Sequence, residues 1–272
     1  MTPTVSNSHN NTGYTSVETQ QWRNQELRLQ WDNVVEEIPV ALVFNGVSHA
    51  VMMTTPCDLE DFAIGFSITE SIVEDLHQIY DLQLSEHEHG YEAALQISSQ
   101  KMQALKQRKR NLTGNTGCGL CGVDSLAAAI RSGKKVKPAA LPSSDAIQKA
   151  VESLSSWQRI QQQTGACHAA VWCNYLGDKV MLREDVGRHN ALDKLVGAMV
   201  QAEISSDSGF VLISSRASYE MIHKASFLQC ANLVAISAPT SLAISQAKQL
   251  NINLIGFARN GKHNLYTAPI IC

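Results

Sequence analysis

The second half of the chain alternates short apolar segments with helical ones, and this alternation constrains the fold more than any other feature. The apolar runs at residues 210–213, 233–236 and 252–257 have the length and composition of buried strands. The segments between them, 217–230 and 241–250, are predicted helices. Because strands joined by helical crossovers lie parallel, we expect an α/β fold with helices packed on the faces of the sheet.

The first half of the chain predicts a smaller α+β unit. Two apolar runs, residues 37–44 and 47–53, flank the dipeptide Asn45-Gly46. This dipeptide is a strong hairpin signal because both of its residues tolerate positive φ. A helix is expected directly after residues 55–58, where a proline and an acid suit the first turn.

Shifts in composition divide the chain into three parts. Residues 1–21 hold no Lys or Arg and are rich in Ser, Thr, Asn and Gln, which predicts a disordered polar tail. Residues 22–112 form the predicted small α+β domain. Residues 113–272 form the predicted second domain, which opens on a glycine-rich loop.

Charge and cysteine content exclude several classes of protein. The 272 residues carry 22 basic and 25 acidic side chains, a formal charge of −3, which argues against a nucleic-acid binder. No apolar run reaches the roughly 18 residues of a membrane span. Residues 1–21 lack the basic start and the apolar stretch of a secretory signal, so we expect a cytoplasmic protein. Seven cysteines cannot all pair, and in a reducing compartment they are expected to be thiols, metal ligands or catalytic groups.

Two of the cysteines, Cys118 and Cys121, form a C-x-x-C in the glycine-rich loop. This pair is compatible with half of a zinc site completed by Cys167 and His168, although their spacing is irregular. It is also compatible with a thioredoxin-like redox pair or with two buried structural cysteines. A fourth hypothesis is a sulfur-handling loop, in which a thiolate carries sulfur as a persulfide and glycine hinges give it reach.

Zinc deaminase chemistry is disfavoured by the residues around His168. A deaminase places a glutamate two positions after its metal-binding histidine, and this chain has Ala170 there. No P-C-x-x-C follows. We predict that the protein holds no metal directly, and the zinc site of Cys118, Cys121, Cys167 and His168 stays open as an alternative.

Polar turns follow each of the three predicted strands, at residues 214–218, 237–241 and 257–262. The carboxyl ends of parallel strands meet at one sheet edge, so these turns predict a site for a phosphate-rich or nucleotide-like ligand. Arg188 and His189 lie at another predicted helix start, where cations oppose the helix dipole. A polar pocket and a solvated helix cap both stay open for them.

Four motifs in the same order resemble one known family, the formate dehydrogenase accessory sulfurtransferases of the FdhD/NarQ type. They are E-E-I-P-V-A-L-V-F-N-G at 36–46, T-G-C-G-L-C-G at 116–122, E-D-V-G-R-H-N-A-L-D-K at 184–194 and S-S-R-A-S-Y-E-M at 214–221. The resemblance extends over about residues 22–266.

The resemblance implies a specific activity. Such proteins accept sulfur from a cysteine desulfurase and pass it to the bis(molybdopterin guanine dinucleotide) molybdenum cofactor, which is then loaded into the formate dehydrogenase apoenzyme. By the same resemblance, Cys118 carries the persulfide and Cys121 is its partner in the relay. It further implies a homodimer and a cytidine-deaminase-like second domain, a three-layer α/β/α unit with a mixed sheet and no zinc.

The resemblance also assigns the nucleotide end of the cofactor to the turn at residues 257–262. With the cationic residues of the other two motifs, the predicted cofactor-contacting set is Phe257, Ala258, Arg259, Asn260, Gly261, Lys262, Arg216, Arg188 and His189. The chain departs from the family pattern at Ala258, Asn260 and Lys262, where relatives have Cys, Pro and Arg, and at Cys167, which replaces a threonine. A non-enzymatic chaperone that binds the same cofactor without moving sulfur is the alternative function.

Overall fold

The computed structural model describes residues 12–113 and 133–268, which form twelve strands and seven α-helices. The first part contains β1 (Tyr14–Arg23), β2 (Glu26–Val35), β3 (Ile38–Phe44), β4 (Val47–Thr54), α1 (Leu59–Thr69), β5 (Ile79–His87), β6 (Gly90–Ile97) and α2 (Ser99–Thr113). The second part contains α3 (Ser144–Trp157), α4 (Arg159–Thr164), β7 (His168–Asn174), β8 (Lys179–Asp185), α5 (Arg188–Gln201), β9 (Gly209–Ile213), α6 (Tyr219–Phe227), β10 (Asn232–Ala235), α7 (Ser241–Leu250), β11 (Asn253–Arg259) and β12 (Lys262–Thr267).

The second part is built on a six-stranded mixed sheet with the order β12-β11-β10-β9-β7-β8. Strands β9, β10 and β11 are parallel neighbours, which confirms the arrangement expected from their helical connections. Strands β7, β8 and β12 run antiparallel to their neighbours. Strand β12 was not expected, because its polar residues carry no strong strand pattern.

Helices cover both faces of this sheet. Successive strand residues point to opposite faces, so each face has its own set of side chains to bury. Val171 and Leu212 pack with Ile147 of α3 on one face. Trp172 and Val211 belong to a second, larger core on the other face, which also holds residues of α5, α6 and α7. The description of this part as cytidine-deaminase-like stays a prediction, as do the domain boundaries near residue 112.

The first part contains a four-stranded sheet with the order β4-β3-β6-β5. The predicted hairpin between β3 and β4 is confirmed, with Asn45 and Gly46 at φ of 46° and 76°. The side chains of Leu42 and Leu95 share the larger core with the helices under the six-stranded sheet. One hydrophobic core therefore runs through both parts of the chain.

The prediction of a disordered tail over residues 1–21 is wrong from residue 14 onward. Tyr14–Arg23 forms β1 and pairs along its whole length with β2. Pairing satisfies its backbone groups, and its threonines and glutamines suit a strand exposed to solvent. Composition alone gave no sign of the partner strand. Residues 1–11 lie outside the described part.

The described helices include none with the length and apolar character needed to cross a membrane.

Helices α1 and α5 cross at two glycines that permit close approach of their backbones. A Cβ on Gly65 would lie 1.7 Å from the carbonyl oxygen of Asp193, and a Cβ on Gly197 would lie 1.9 Å from that of Asp61. No side chain fits at these distances, so the crossing requires glycine at both positions.

We expect Gly197→Ala to lower the free energy of unfolding by about 1–3 kcal/mol, because the added methyl group forces the two helices apart. Urea denaturation measures the change. Ser155→Ala, at an exposed position of α3, is the control and should stay within about 0.5 kcal/mol of the parent. An unchanged midpoint for Gly197→Ala would contradict the close crossing.

Candidate functional site

The three polar turns predicted to converge lie side by side at one edge of the six-stranded sheet. The N–H of Ala217 donates to Ala238 O (3.2 Å), and the N–H of Thr240 donates to Ala217 O (3.0 Å), which joins the first turn to the second. The N–H of Phe257 donates to Ser237 O (3.1 Å), which joins the second turn to the third. The edge is therefore one continuous surface of turns.

The antiparallel strands bring two more elements to this edge. Strand β7 begins at His168 and β8 ends at Asp185, and these two residues pair directly. Ser214 lies beside them: its Oγ accepts from the N–H of Ala169 (2.9 Å) and is 3.4 Å from His168 Nδ1. Burial, with a smaller effect from Arg188, lowers the pKa of His168, so the imidazole is neutral at pH 7.

A cavity of about 400 Å³ opens beside His168. It is lined by Gln158, Gln161, Gly165, Ala166, Cys167, His168 and Ser214. The structure places His168 half-buried at this cavity, and not in the closed core of the sheet. The signal that could have found it is its position at the start of a strand whose antiparallel direction puts that start among the polar turns.

The carboxylate of Glu184 organises the wall of the cavity. It is buried and accepts from the N–H groups of Ile160 (3.0 Å) and Gln161 (2.9 Å), in the first turn of α4. These N–H groups have no partner within the helix, and a negative charge there suits the helix dipole. Gln161 Oε1 in turn accepts from the N–H of Cys167 (2.7 Å), which fixes the chain that leads into β7.

Asp185 is fully buried and anchors the start of α5. Its Oδ1 accepts from the N–H of Gly187 (2.7 Å) and from Asn190 Nδ2 (3.0 Å). Its Oδ2 lies 2.6 Å from Nζ of Lys194, which is also fully buried. A charge pair of this kind is tolerated in a protein interior only when hydrogen bonds satisfy both partners.

The same ion pair reaches across to the four-stranded sheet. Asp185 Oδ2 accepts from the N–H (3.0 Å) and the hydroxyl (2.9 Å) of Thr55, and from the hydroxyl of Thr54. Lys194 Nζ donates to the carbonyl (3.1 Å) and hydroxyl (2.8 Å) oxygens of Thr55. The end of β4 is thereby tied to the helix that begins at the candidate site.

Arg188 and His189 form the first turn of α5 above this buried network. His189 Nε2 lies 2.7 Å from the carboxylate of Glu220 in α6, and burial lowers the pKa of the imidazole. Arg188 Nε is buried and has no hydrogen-bond partner among the described residues. Both side chains are half-buried, so this turn is neither part of the dry core nor a fully solvated helix cap. The Nε of Arg188 is a cationic donor that no described residue uses.

The turn at residues 257–262 is a hairpin loop that extends the edge. Asn260 and Gly261 have φ of 54° and 73° and connect β11 to β12. Phe257 has φ of 53° at an irregularity in the β11–β12 register, a conformation costly for a bulky residue. The guanidinium of Arg259 lies 5.7 Å from the centre of the Phe257 ring.

The residues predicted to contact the cofactor at this turn differ in their exposure to solvent. Arg259, Asn260, Gly261 and Lys262 are exposed, and Phe257 is half-buried. Ala258 is fully buried in the core under α3, so its side chain supports the turn from within. In the turn after β9, Arg216 is exposed.

The predicted residues do not form one compact cluster. Arg188 and His189 follow β8, and the 257–262 turn follows β11, four strands away in the sheet. With neighbouring strands spaced by about 4.8 Å, the ends of β8 and β11 are about 19 Å apart along the sheet. A ligand that contacts both groups must be long.

Cys118 and Cys121 lie outside the described residues, as does Cys272. Burial raises the pKa of Cys57 and Cys230 to about 11 and that of Cys167 and Cys173 to about 12. These four thiols are protonated at neutral pH and are poor nucleophiles. Among the described residues, no group of three or more His, Cys, Asp or Glu side chains is arranged to hold a metal ion.

We expect Asp185→Asn to lower the free energy of unfolding by about 3–5 kcal/mol, because it leaves the Lys194 ammonium buried without its counter-charge. The double variant Asp185→Asn/Lys194→Met should recover part of this loss. Urea denaturation of the parent and both variants measures the effect. A single variant within 1 kcal/mol of the parent, on the scale expected for an exposed pair, would contradict the buried ion pair.

We expect the stability of the protein to fall as the pH drops below the ordinary histidine pKa of 6.5, since His168 has a lower pKa when folded. The unfolded chain then binds protons that the folded chain does not. His168→Gln should make this fall shallower, measured as urea midpoints at about pH 7.5 and 5.5. His87→Gln, at an exposed position of β5, is the control; an equal effect at both positions would contradict the assignment.

Comparison with known proteins adds a family to this geometry. The sequence model described as the FdhD/NarQ family matches residues 35–270. A protein named "Sulfur carrier protein FdhD" from Cupriavidus necator is 50% identical over 91% of this chain and 86% of its own length. The protein of the same name from Acinetobacter baylyi is 44% identical over 98% and 97%.

A solved structure has a similar fold. The crystal structure of a formate dehydrogenase accessory protein from Desulfotalea psychrophila aligns with a TM-score of 0.74 over 94% of this chain and 97% of its own. The two sequences are 19% identical, so this likeness concerns the fold alone.

Proposed function

The chain belongs to the FdhD/NarQ family, and we propose that it is a sulfurtransferase that takes persulfide sulfur from a cysteine desulfurase. It passes the sulfur to the bis(molybdopterin guanine dinucleotide) molybdenum cofactor required by a formate dehydrogenase. The proposal rests on the relatives named sulfur carrier proteins, which are 44–50% identical over nearly the whole chain. A cytoplasmic location and a homodimeric state are parts of the same proposal.

Sulfur moves through the C-x-x-C pair in this mechanism. The thiolate of Cys118 attacks the outer sulfur of the desulfurase persulfide, which forms a persulfide on Cys118 and releases the desulfurase cysteine as a thiolate. Cys121 then takes over the outer sulfur by the same exchange and frees the Cys118 thiolate. Each of these two exchanges breaks one S–S bond and forms another, so the relay between the cysteines needs neither an oxidant nor a reductant.

The acidity of the other cysteines supports this choice of carrier. Burial keeps the four described thiols protonated, and Cys167 and Cys173 have the highest pKa values. A carrier must present a thiolate to a second protein, which requires a lower pKa and access. Of the remaining three cysteines, Cys118 and Cys121 lie between glycines and match the family motif.

The sheet edge supports the proposed acceptor. Its cationic side chains follow three strands of the sheet and suit a ligand with separated anionic groups. Arg188 follows β8, Arg216 follows β9 midway along the edge, and Arg259 and Lys262 follow β11. A cofactor with two nucleotide ends has such groups, and its length suits two subsites about 19 Å apart. Lys262 binds a phosphate as a point charge and not in the bidentate manner of an arginine.

We expect mass spectrometry to detect one additional sulfur atom on the protein after incubation with a cysteine desulfurase and cysteine. Cys118→Ala should abolish this gain and should abolish formate dehydrogenase activity in a cell that lacks the native protein. Cys57→Ala removes a half-buried thiol of raised pKa and is the matched control, with sulfur loading retained.

Two outcomes would contradict the proposal. Full formate dehydrogenase activity with Cys118→Ala would remove this residue from the mechanism. A wild-type protein that gains no sulfur yet still supports formate dehydrogenase activity would be a cofactor chaperone.

A further inference from the structure

Strands β1 and β2 form a two-stranded ribbon with an exposed apolar face. In an antiparallel pair, directly opposite residues project to the same side and alternate along the strand. Trp22 pairs with Leu27, and Leu29 and Trp31 follow at intervals of two, so all four side chains share one face. They are 64–72% exposed.

The opposite face of the ribbon is polar. It carries Thr19, Gln21, Arg23, Glu26, Arg28 and Gln30. Leu27, Leu29 and Trp31 alternate with polar residues in the pattern of a strand that is buried on one side. The described part of the chain leaves that side open to solvent.

The ribbon is regular and attached to the body at one end. Its ten pairs run without a register shift to a two-residue turn at Asn24 and Gln25, which have φ of 52° and 66°. At its base, Asn33 Nδ2 donates to Gln163 Oε1 of α4 (3.1 Å). A two-stranded ribbon alone is only marginally stable in water, so a cover on its apolar face would stabilise it.

We propose that this face packs against the same face of a second copy of the chain, related by a two-fold axis. Charge favours a like partner over a strongly charged one, because the outer ribbon (residues 18–31) has two acids and two bases and is neutral. On the apolar face, Glu18 is the single charge and lies at the base end. An antiparallel arrangement of the two ribbons keeps the two Glu18 carboxylates apart.

The area of the face meets the minimum for such an interface. At exposures of 64% and 72%, Trp22 and Trp31 each present about 150 Å², and the two leucines bring the face to about 500 Å². Two faces in contact would remove about 1,000 Å² from water, the lower limit for a specific interface. Tryptophans buried in an interface are typical of residues that dominate binding energy.

This inference rests on the homodimer within the proposed function and is independent of the sulfur chemistry. Sedimentation velocity of the full chain at about 10 μM should give twice the 29.7 kDa chain mass, at an affinity in the micromolar range or tighter. Trp22→Lys/Trp31→Lys should weaken self-association at least tenfold and give monomers. Both positions are exposed, and circular dichroism checks that the fold is kept.

Thr19→Lys/Gln21→Lys adds the same charge to the polar face of the ribbon and is the matched control, which should stay dimeric. A monomeric wild type, or a dimeric Trp22→Lys/Trp31→Lys variant, overturns the inference. A monomeric control also overturns it, since the apolar face would then not be the cause. Sulfur loading of the monomeric variant, measured by mass, reports on the proposed function separately.

Discussion

The relative position of the two sheets depends on the buried ion pair of Asp185 with Lys194. Its hydrogen bonds to Thr54 and Thr55 join the end of one sheet to a helix packed beneath the other. A buried charge whose partners are displaced is strongly destabilising, so the two sheets are held to the one relative position that satisfies every donor and acceptor. The close crossing of α1 and α5 enforces the same position by shape, because only there do Gly65 and Gly197 meet the opposing backbones.

This constraint also prepares the candidate site. Asp185 fixes the first turn of α5, which presents Arg188 and His189, and the neighbouring Glu184 holds the start of α4 beside the cavity. Because the buried carboxylates hold these turns in place before any ligand arrives, binding costs less conformational entropy. Buried side chains beneath the sheet edge therefore fix the conformation of its turns.

Local signals in the sequence predicted much of the fold. The Asn45-Gly46 hairpin and the parallel strands β9 to β11 are confirmed, since each depends on residues close together in the chain. Contacts between distant residues left no such signal: Lys194 meets Thr55 across 139 positions, and Glu220 meets His189 from another helix. The pairing of β1 was missed for a related reason, because a polar strand is recognisable only once its partner is known. At the site, the sequence predicted which turns share an edge, and it could not predict the cavity or the distance between the two cationic groups.

For the proposed sulfur transfer, the burial of Cys173 and Cys230 has a consequence for fidelity. Outer sulfur atoms of persulfides pass readily between accessible thiolates, and a protein with several reactive cysteines would spread its cargo over all of them. Cys173 and Cys230 lie in the core, and burial keeps their protons on at neutral pH. Neither thiol is therefore available for persulfide exchange or for oxidation. In the proposed transfer, the folded core therefore keeps these two thiols from accepting the outer sulfur atom.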